Sequence, residues 1–438
     1  MTSETSLSSS SSSASLSSSS SSSNSDLDYI TDSEHEFSED EESFYTPMII
    51  TPHLLVSNVK QVATGTAHTL VLTNDNTCLG CGFNRYGSVG ATNYKRVSRL
   101  SEVLSNVSSI HAKYNRSFAI TTTGTLFGWG QNSKGEVGVG TRSHVRSPLE
   151  VIQNVVSIAI GEFHTLVVDI NGDLFVFGSN RNGQCGVGEL TIVTSPMRLL
   201  SGVKKIYSGS FSSFALDSSK TLFSWGEGST TPSPILEGVV DVSCGFKHTL
   251  ALTANGDVYA WGSNEYKQVL TTSVDKFVTS PTFVMSNVSF ITAADNHSLI
   301  VKTNGDLLSY GNSEFGQCGN NSKKERCGVK LVLQHVKKIF SAFNISCAIT
   351  NDDSLFVWGK NDCGAVGLVS VKDQLRPIKI LDAIQSFSIG SGFVLALSID
   401  GKLFAFGKNN EFQLGLNESM VDSWKLLEDQ SKGKCSVM

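Results

Sequence analysis

Proline is scarce in this 438-residue sequence, with 8 residues against 39 glycines. Abundant glycine without proline signals repeated tight turns rather than an unstructured chain. No run of 18 apolar residues occurs, which excludes a membrane-spanning helix, and the N-terminus has neither the basic region nor the apolar core of a secretory signal. A cytosolic, reducing setting is therefore expected, with the nine cysteines present as thiols. Lysine and arginine are missing altogether from residues 1–45, which hold ten acids. The remainder sets 30 acids against all 34 bases, a net of +4. This is an acidic tail on a mildly basic domain, and the excess is too small to argue for nucleic acid. Catalytic constellations are missing too: no paired carboxylates, Ser-His-Asp or Cys-His arrangement can be placed. Glycine-rich stretches such as 135–140 are neither followed by Lys-Ser/Thr nor lead into a helix, so they are not phosphate cradles. No cofactor, metal or small-molecule substrate is expected.

Of the first 25 residues, 17 are serine, and residues 26–42 are densely acidic. Neither stretch offers enough apolar surface to offset chain entropy, so 1–45 reads as a disordered tail. Ser25, Ser33 and Ser38 each precede an acid by three positions, a spacing that resembles sites for acid-directed kinases. A tail that is solvated and never modified is the other reading.

What is present is repetition. Glycines closing a large-apolar–Gly pair recur at Gly82, Gly130, Gly178, Gly226, Gly262, Gly311, Gly359 and Gly407, spaced by 48, 48, 48, 36, 49, 48 and 48 residues. The residues before them are Cys81, Trp129, Phe177, Trp225, Trp261, Tyr310, Trp358 and Phe406. One unit reads locally as follows. Residues 165–169 form a β-rich run; Asn171-Gly172 is a hairpin signal with positive φ expected at both positions; residues 174–177 return. A glycine-punctuated loop, a segment headed by Ser195-Pro196 and a further β-rich run at 203–207 follow, making four short strands in about 48 residues. Such a unit must stack on its neighbours to bury both faces, and four-stranded blades around an axis are the natural solution. The turn column, Asn76, Gly124, Gly172, Lys220, Gly256, Gly305, Asp353 and Gly401, is six-eighths Gly or Asn, the residues that tolerate positive φ.

The pattern G-x-x-H-T-L, then N-G-x-L-x-x-W-G, then x-N-x-x-G-x-x-G resembles the regulator-of-chromosome-condensation repeat. Residues 161–186 carry nearly all of it and 245–264 most of it. The resemblance implies an all-β propeller of four-stranded blades over 46–430. Family propellers usually have seven blades, whereas eight signatures are counted here, and the short fourth connector still supplies Pro234-Ile235-Leu236 as a strand. Eight blades are therefore expected, closed by a strand from the other chain end, at 52–56 or 424–427.

Several residues invite functional readings beside plainer ones. The histidine column (His68, Arg116, His164, Ser212, His248, His297, Ile345, Phe393) sits on separate blades, so bonding to neighbouring turns is expected rather than metal binding. Cys78 and Cys81 fall in the columns of Leu126 and Trp129, and Cys185 and Cys318 fill the apolar site of a G-Q-x-G loop; all read as small hydrophobes. Lys95, Arg96 and Arg99, then Arg142, His144 and Arg146, then Lys323, Lys324 and Arg326 occupy equivalent loops. They are candidates for a locally positive partner-binding face, against a reading as scattered solvated charge.

Residues 431–438 form a short basic tail ending Lys434-Cys435-Ser436-Val437-Met438, which matches a C-terminal prenylation motif with Cys435 as acceptor and Met pointing to farnesyl. One farnesyl chain gives only weak, reversible anchoring, so the protein is expected to be cytoplasmic and peripheral on membranes rather than nuclear. A propeller with such a tail is similar in layout to the retinitis pigmentosa GTPase regulator. The family resemblance implies a small GTPase or its regulators as partner, bound by a non-enzymatic scaffold. The alternative is a guanine-nucleotide exchange factor for a Ran-like GTPase, but exchange implies a wedge inserted into the propeller, and the units here are nearly uniform in length. Nucleic acid is not expected as a partner.

Overall fold

The computed structural model describes residues 48–91, 95–271, 275–368 and 370–416. The chain divides into two units, Met1–Tyr45 and Thr46–Met438, and every described residue belongs to the second. Ser25, Ser33 and Ser38, the alternative closing segment 424–427 and Cys435 with its basic tail lie outside the described residues.

All regular structure among the described residues is strand, 32 in number. The strands form eight four-stranded antiparallel sheets, the blades of a ring. Blade one spans 59–104, two 107–152, three 155–200, four 203–236, five 239–285, six 288–333 and seven 336–381. Blade eight is composite. Its inner three strands are Ile384–Gly390, Phe393–Ser398 and Leu403–Lys408, and its outermost is Met48–Val56, antiparallel to Leu403–Lys408. The ring is thus eight-bladed and closed by the N-terminal of the two expected segments. Sequence repeat and blade are out of phase by one strand: the run at 203–207 is the innermost strand of blade four, not the last of blade three.

The short fourth connector does carry a strand, Ser229–Leu236. Every second strand is an apolar run buried on both faces, as in Leu166, Val167 and Val168 at 0–2% exposure. The large residues before the signature glycines pack between blades; Trp129, Phe177, Tyr310, Trp358 and Phe406 are wholly buried, each worth about 3 kcal/mol in area removed from water. Indole nitrogens are satisfied across the blade boundary: Trp129 donates to Ser88 O at 3.0 Å, Trp225 to Gln184 O at 3.0 Å and Trp358 to Gln317 O at 2.9 Å. Gly178 shows why its column is glycine. Its φ is +115°, and a Cβ there would lie 2.4 Å from Phe163 O, so any side chain meets both backbone strain and a rigid carbonyl.

The hairpin column takes positive φ at all eight positions, including Lys220 (65°) and Asp353 (64°). The expectation of positive φ at both turn residues is corrected, however: Gly172 has it (81°) and Asn171 does not. Gly172 N donates to Asp169 O, and Asp169 N to Asp173 O, the pattern of a turn closed by a left-handed residue. The Asp169 carboxylate stabilises this form by accepting from the N–H groups of Asn171 (2.9 Å) and Asp173 (2.8 Å).

Candidate protein-binding face

Antiparallel alternation sends the first-to-second and third-to-fourth strand connections of every blade to one face of the ring. The third-to-fourth connections form the rim of that face, and the first-to-second turns ring its axis.

The turns are held from below by the histidine column. His68, His164, His248 and His297 place Nε2 at 2.8, 2.8, 3.0 and 2.8 Å from the hydroxyls of Ser117, Ser213, Ser298 and Ser346 on the next blade. Those hydroxyls donate onward to Ser88 O, Gln184 O, Gln268 O and Gln317 O. With its hydrogen committed, each serine oxygen accepts from a neutral imidazole protonated on Nε2. Burial pushes all four histidines down to about 3. The column joins blade to blade, and among the described residues no group of His, Cys, Asp or Glu is arranged to hold a metal.

Arg116 takes the histidine's place in blade two and is 1% exposed. Its Nη2 donates to Gly161 O and, at 2.6 Å, to Glu162 O of blade three. Glu136 and Glu162 stand beside it. Burial raises both carboxyls above the usual range while the Arg116 guanidinium pulls them down. This is a charge cluster enclosed where blades one, three, five and six have a neutral bond.

Above the column, the two or three residues between each first and second strand surround the axis. Backbone bonds join the turns to one another: Ser391 N to Thr66 O (3.2 Å), Thr66 N to Tyr114 O (2.8 Å), Glu162 N to Ser210 O (3.3 Å) and Phe246 N to Asp295 O (3.2 Å). The ring displays Tyr114, Phe246 and Phe343 among Lys113, Glu162, Lys247 and Asp295. Burial lowers the pKa of Lys113 and raises that of Asp295, while each acts on the other as a counter-charge. Beneath lies the axial channel, a cavity of about 410 Å³ lined by inner-strand residues including Gln61, His111, Ser208 and Phe340.

The rim has one gap. Blade four joins its third strand, ending at Gly226, to its fourth, beginning at Ser229, through Glu227-Gly228 alone. Every other complete blade has a long loop there, carrying glycine except in blade five, where Lys267 and Leu270 take the positive φ instead. In the adjoining first turn of blade five, Phe246 is 40% exposed, with Lys247 above its ring at 5.6 Å. Glu227 stands near Lys247 and its N donates to Phe211 O, while the Phe211 ring meets Phe163 of blade three at 6.4 Å. These axial and gap residues were not singled out from the sequence. The signal was there for most of the turns, whose unmatched positions lie between two columns, glycine and histidine, while Glu227 follows the signature glycine of the short fourth unit.

Of the basic candidates, Lys95, Arg142, His144, Lys323, Lys324 and Arg326 lie in rim loops of the same face. Arg96, Arg99 and Arg146, expected in loops, fall instead in the outer strands Arg96–Leu104 and Val145–Ile152. The candidates form two groups. Those of blades one and two adjoin, whereas blade six stands opposite blade two in an eight-membered ring. Several tie blades together. Arg96 pairs with Glu411 at 2.5 Å, Lys323 with Asp373 at 2.6 Å, and Arg326 donates to Glu265 O at 2.7 Å. Arg146 reaches Arg85 O at 3.4 Å, and Arg142 donates to Ser133 O at 3.0 Å within its own loop. His144 accepts from Asn132 N at 3.2 Å and meets the Tyr86 ring edge-on at 5.0 Å; burial, then Arg146, lowers its pKa. Lys95, Arg99 and Lys324 are exposed. Cys78, Cys81, Cys185 and Cys318 are all buried, as expected of small hydrophobes.

Comparison with known proteins adds the following. Two profiles, both described as Regulator of chromosome condensation (RCC1) repeat, match residues 59–88, 107–136, 155–184, 239–268 and 336–365, and residues 123–168, 171–216 and 352–397. Together they span more than half the chain. No curated protein sequence matches it. Among solved structures, Prp20p from Saccharomyces cerevisiae, described with its binding to Gsp1p and histones, is 19% identical, with 82% of this chain and 97% of that chain covered at a TM-score of 0.59. Human WBSCR16 is 21% identical, covering 82% of this chain and 89% of its own at a TM-score of 0.58. At such identities the likeness speaks for the fold.

Proposed function

The chain belongs to the regulator of chromosome condensation (RCC1) repeat family, and from that premise we propose that it is a non-enzymatic binding propeller engaging a small GTPase, or a regulator of one, through the face that carries the axial ring. The observation that carries this reading is the gap at blade four. A partner loop entering there meets the exposed ring of Phe246 beside charges of both signs, Glu227 and Lys247, on turns fixed by backbone bonds. Aromatic anchors in a pre-ordered frame are what binding hot spots are made of. The description of Prp20p with Gsp1p and histones supports a protein partner for a propeller of this kind. The cations Lys95, Arg99, Arg142 and Lys324 would steer an acidic partner patch inward. A farnesyl thioether on Cys435, aided by Lys432 and Lys434, would hold the protein reversibly on a cytoplasmic membrane surface.

The test is a panel of small GTPases loaded with fluorescent nucleotide. Binding without nucleotide release is expected, weakened roughly tenfold or more by Phe246→Ala with Lys247→Glu. Accelerated release would replace this reading with an exchange factor, and no binding to any member would overturn it. For the tether, intact mass of protein from its native cell should show loss of three residues and gain of a farnesyl group; an unmodified Met438 would refute it.

A further inference from the structure

Blade six departs from its siblings at one paired position. In blades one to three the third-to-fourth loop contributes one buried apolar residue and the outer strand another, opposite the signature glycine. In blades one and two these are Val89 with Val97 and Val137 with Val145; in three they are Cys185 with Val193. In blade six both are cysteine: Cys318, wholly buried, and Cys327, 5% exposed and paired with Gly311. Both are free thiols, hydrogen-bonded to one another, with Ser313 against each. The segment between them is the exposed loop bearing Lys323, Lys324 and Arg326. Cys327 lies directly under it, Sγ 3.5 Å from Lys324 O and 3.9 Å from Asn320 Oδ1.

We propose that Cys318 and Cys327 are a modification site, oxidised by peroxide to a reversible disulfide that staples the basic loop of blade six to the body of the blade. The Cys327 thiolate attacks one peroxide oxygen, the O–O bond breaks, and water leaves after taking up a proton, giving a sulfenic acid. Cys318 sulfur then displaces that hydroxyl, its own proton departing with the second water. In sum, two thiols are oxidised by two electrons and one peroxide is reduced to two waters. The hydrogen bond from Cys318, with Asn320, Ser322 and Ser313 nearby, lowers the pKa of Cys327, whereas burial raises those of Cys78, Cys81, Cys185 and Cys347. The thiolate is the reactive form, so blade six is the preferred site. This inference stands apart from the choice of partner.

The full-length protein is treated with hydrogen peroxide, alkylated under denaturing conditions and digested with trypsin. Cleavage at Lys323, Lys324 and Arg326 puts the two cysteines in separate peptides, so only a disulfide can join them. The expected product is that joined pair, two hydrogens lighter than its reduced halves and released by dithiothreitol. Cys318→Val and Cys327→Val place the residue of blades one and two at each position and should fold. In Cys318→Val, Cys327 should be trapped by dimedone as the sulfenic acid, well above Cys185. Two separately alkylated or over-oxidised peptides in the unsubstituted protein, or dimedone labelling of Cys327 no greater than that of Cys185, would overturn the proposal.

Discussion

Lowering the pH from about 7 to about 5 should remove much of the propeller's stability, because four histidines are buried as neutral bases. Each has its folded pKa pushed down to about 3, while the unfolded chain titrates near 6.5. Between those values the unfolded state binds the extra proton. Each histidine's contribution is therefore complete above about pH 6.5 and declines as pH falls through the window to about 3. At pH 5 the loss is about 2 kcal/mol per histidine, or about 8 kcal/mol for four, against a typical total of about 5–15 kcal/mol. The buried carboxyls Glu136, Glu162 and Asp295 are raised and act in the opposite sense, so a difference measurement isolates the histidines. His68→Phe is the variant to use. Blade eight has Phe393 at this position, seated on Gly390 as His68 is on Gly65. Urea unfolding followed by tryptophan fluorescence, repeated between about pH 6 and pH 4.5, should show a stability-versus-pH slope shallower by about 1.4 kcal/mol per pH unit in the variant. The constant cost of the lost bond to Ser117 does not enter the slope. An unchanged slope would refute the neutral, Nε2-protonated histidine and the bonding chain built on it.

A Cβ at residue 161 would lie 2.0 Å from His164 Cε1, so Gly161→Ala should cost about 3 kcal/mol by displacing the ring, visible as a lower Tm; an unshifted Tm would contradict the packing. Arg116→Met strands Glu136 and Glu162 without their cation and should destabilise by about 3–5 kcal/mol in urea unfolding. Adding Glu136→Gln should recover part of that, and failure to do so would mean the cluster is not coupled. Deleting residues 1–56 removes the outermost strand of blade eight and leaves Leu403–Lys408 an open edge, so light scattering should report association that the full chain does not show.

The blades were legible because each needs the same residues for the same reasons. A large apolar side chain must fill the wedge between sheets, and the glycine after it must clear the neighbouring carbonyl, so these columns survive in every copy. Even Lys220 and Asp353, poor residues for the turn column by type, take its positive φ, because the paired strands on either side fix the turn. The hairpin conformation was misread because Asn-Gly pairs favour one turn in isolation, whereas Asp169 reaches over two N–H groups and selects another. The histidine partners were beyond reach, since Ser117 and Ser213 lie one blade away and nothing in the spacing names them. The binding face was harder still. Charge drew attention to the rim, while the exposed Phe246 ring and the short connection of blade four come together only once the blades are stacked.

Closure by Met48–Val56 against Leu403–Lys408 also shapes how the molecule is made. The two partners are among the most distant segments of the described chain, so the last pairing event is the one of highest contact order and the slowest in kind. As the chain leaves the ribosome, seven sheets can stack before the eighth exists, yet the first and last present bare flanks until the final turns are translated. A nascent arc of this sort is a substrate for chaperones and for swapping between neighbouring chains. The same arrangement gives a mechanical asymmetry. Tension on the N-terminal tail would peel a peripheral strand first and leave the inner circle of eight strands standing.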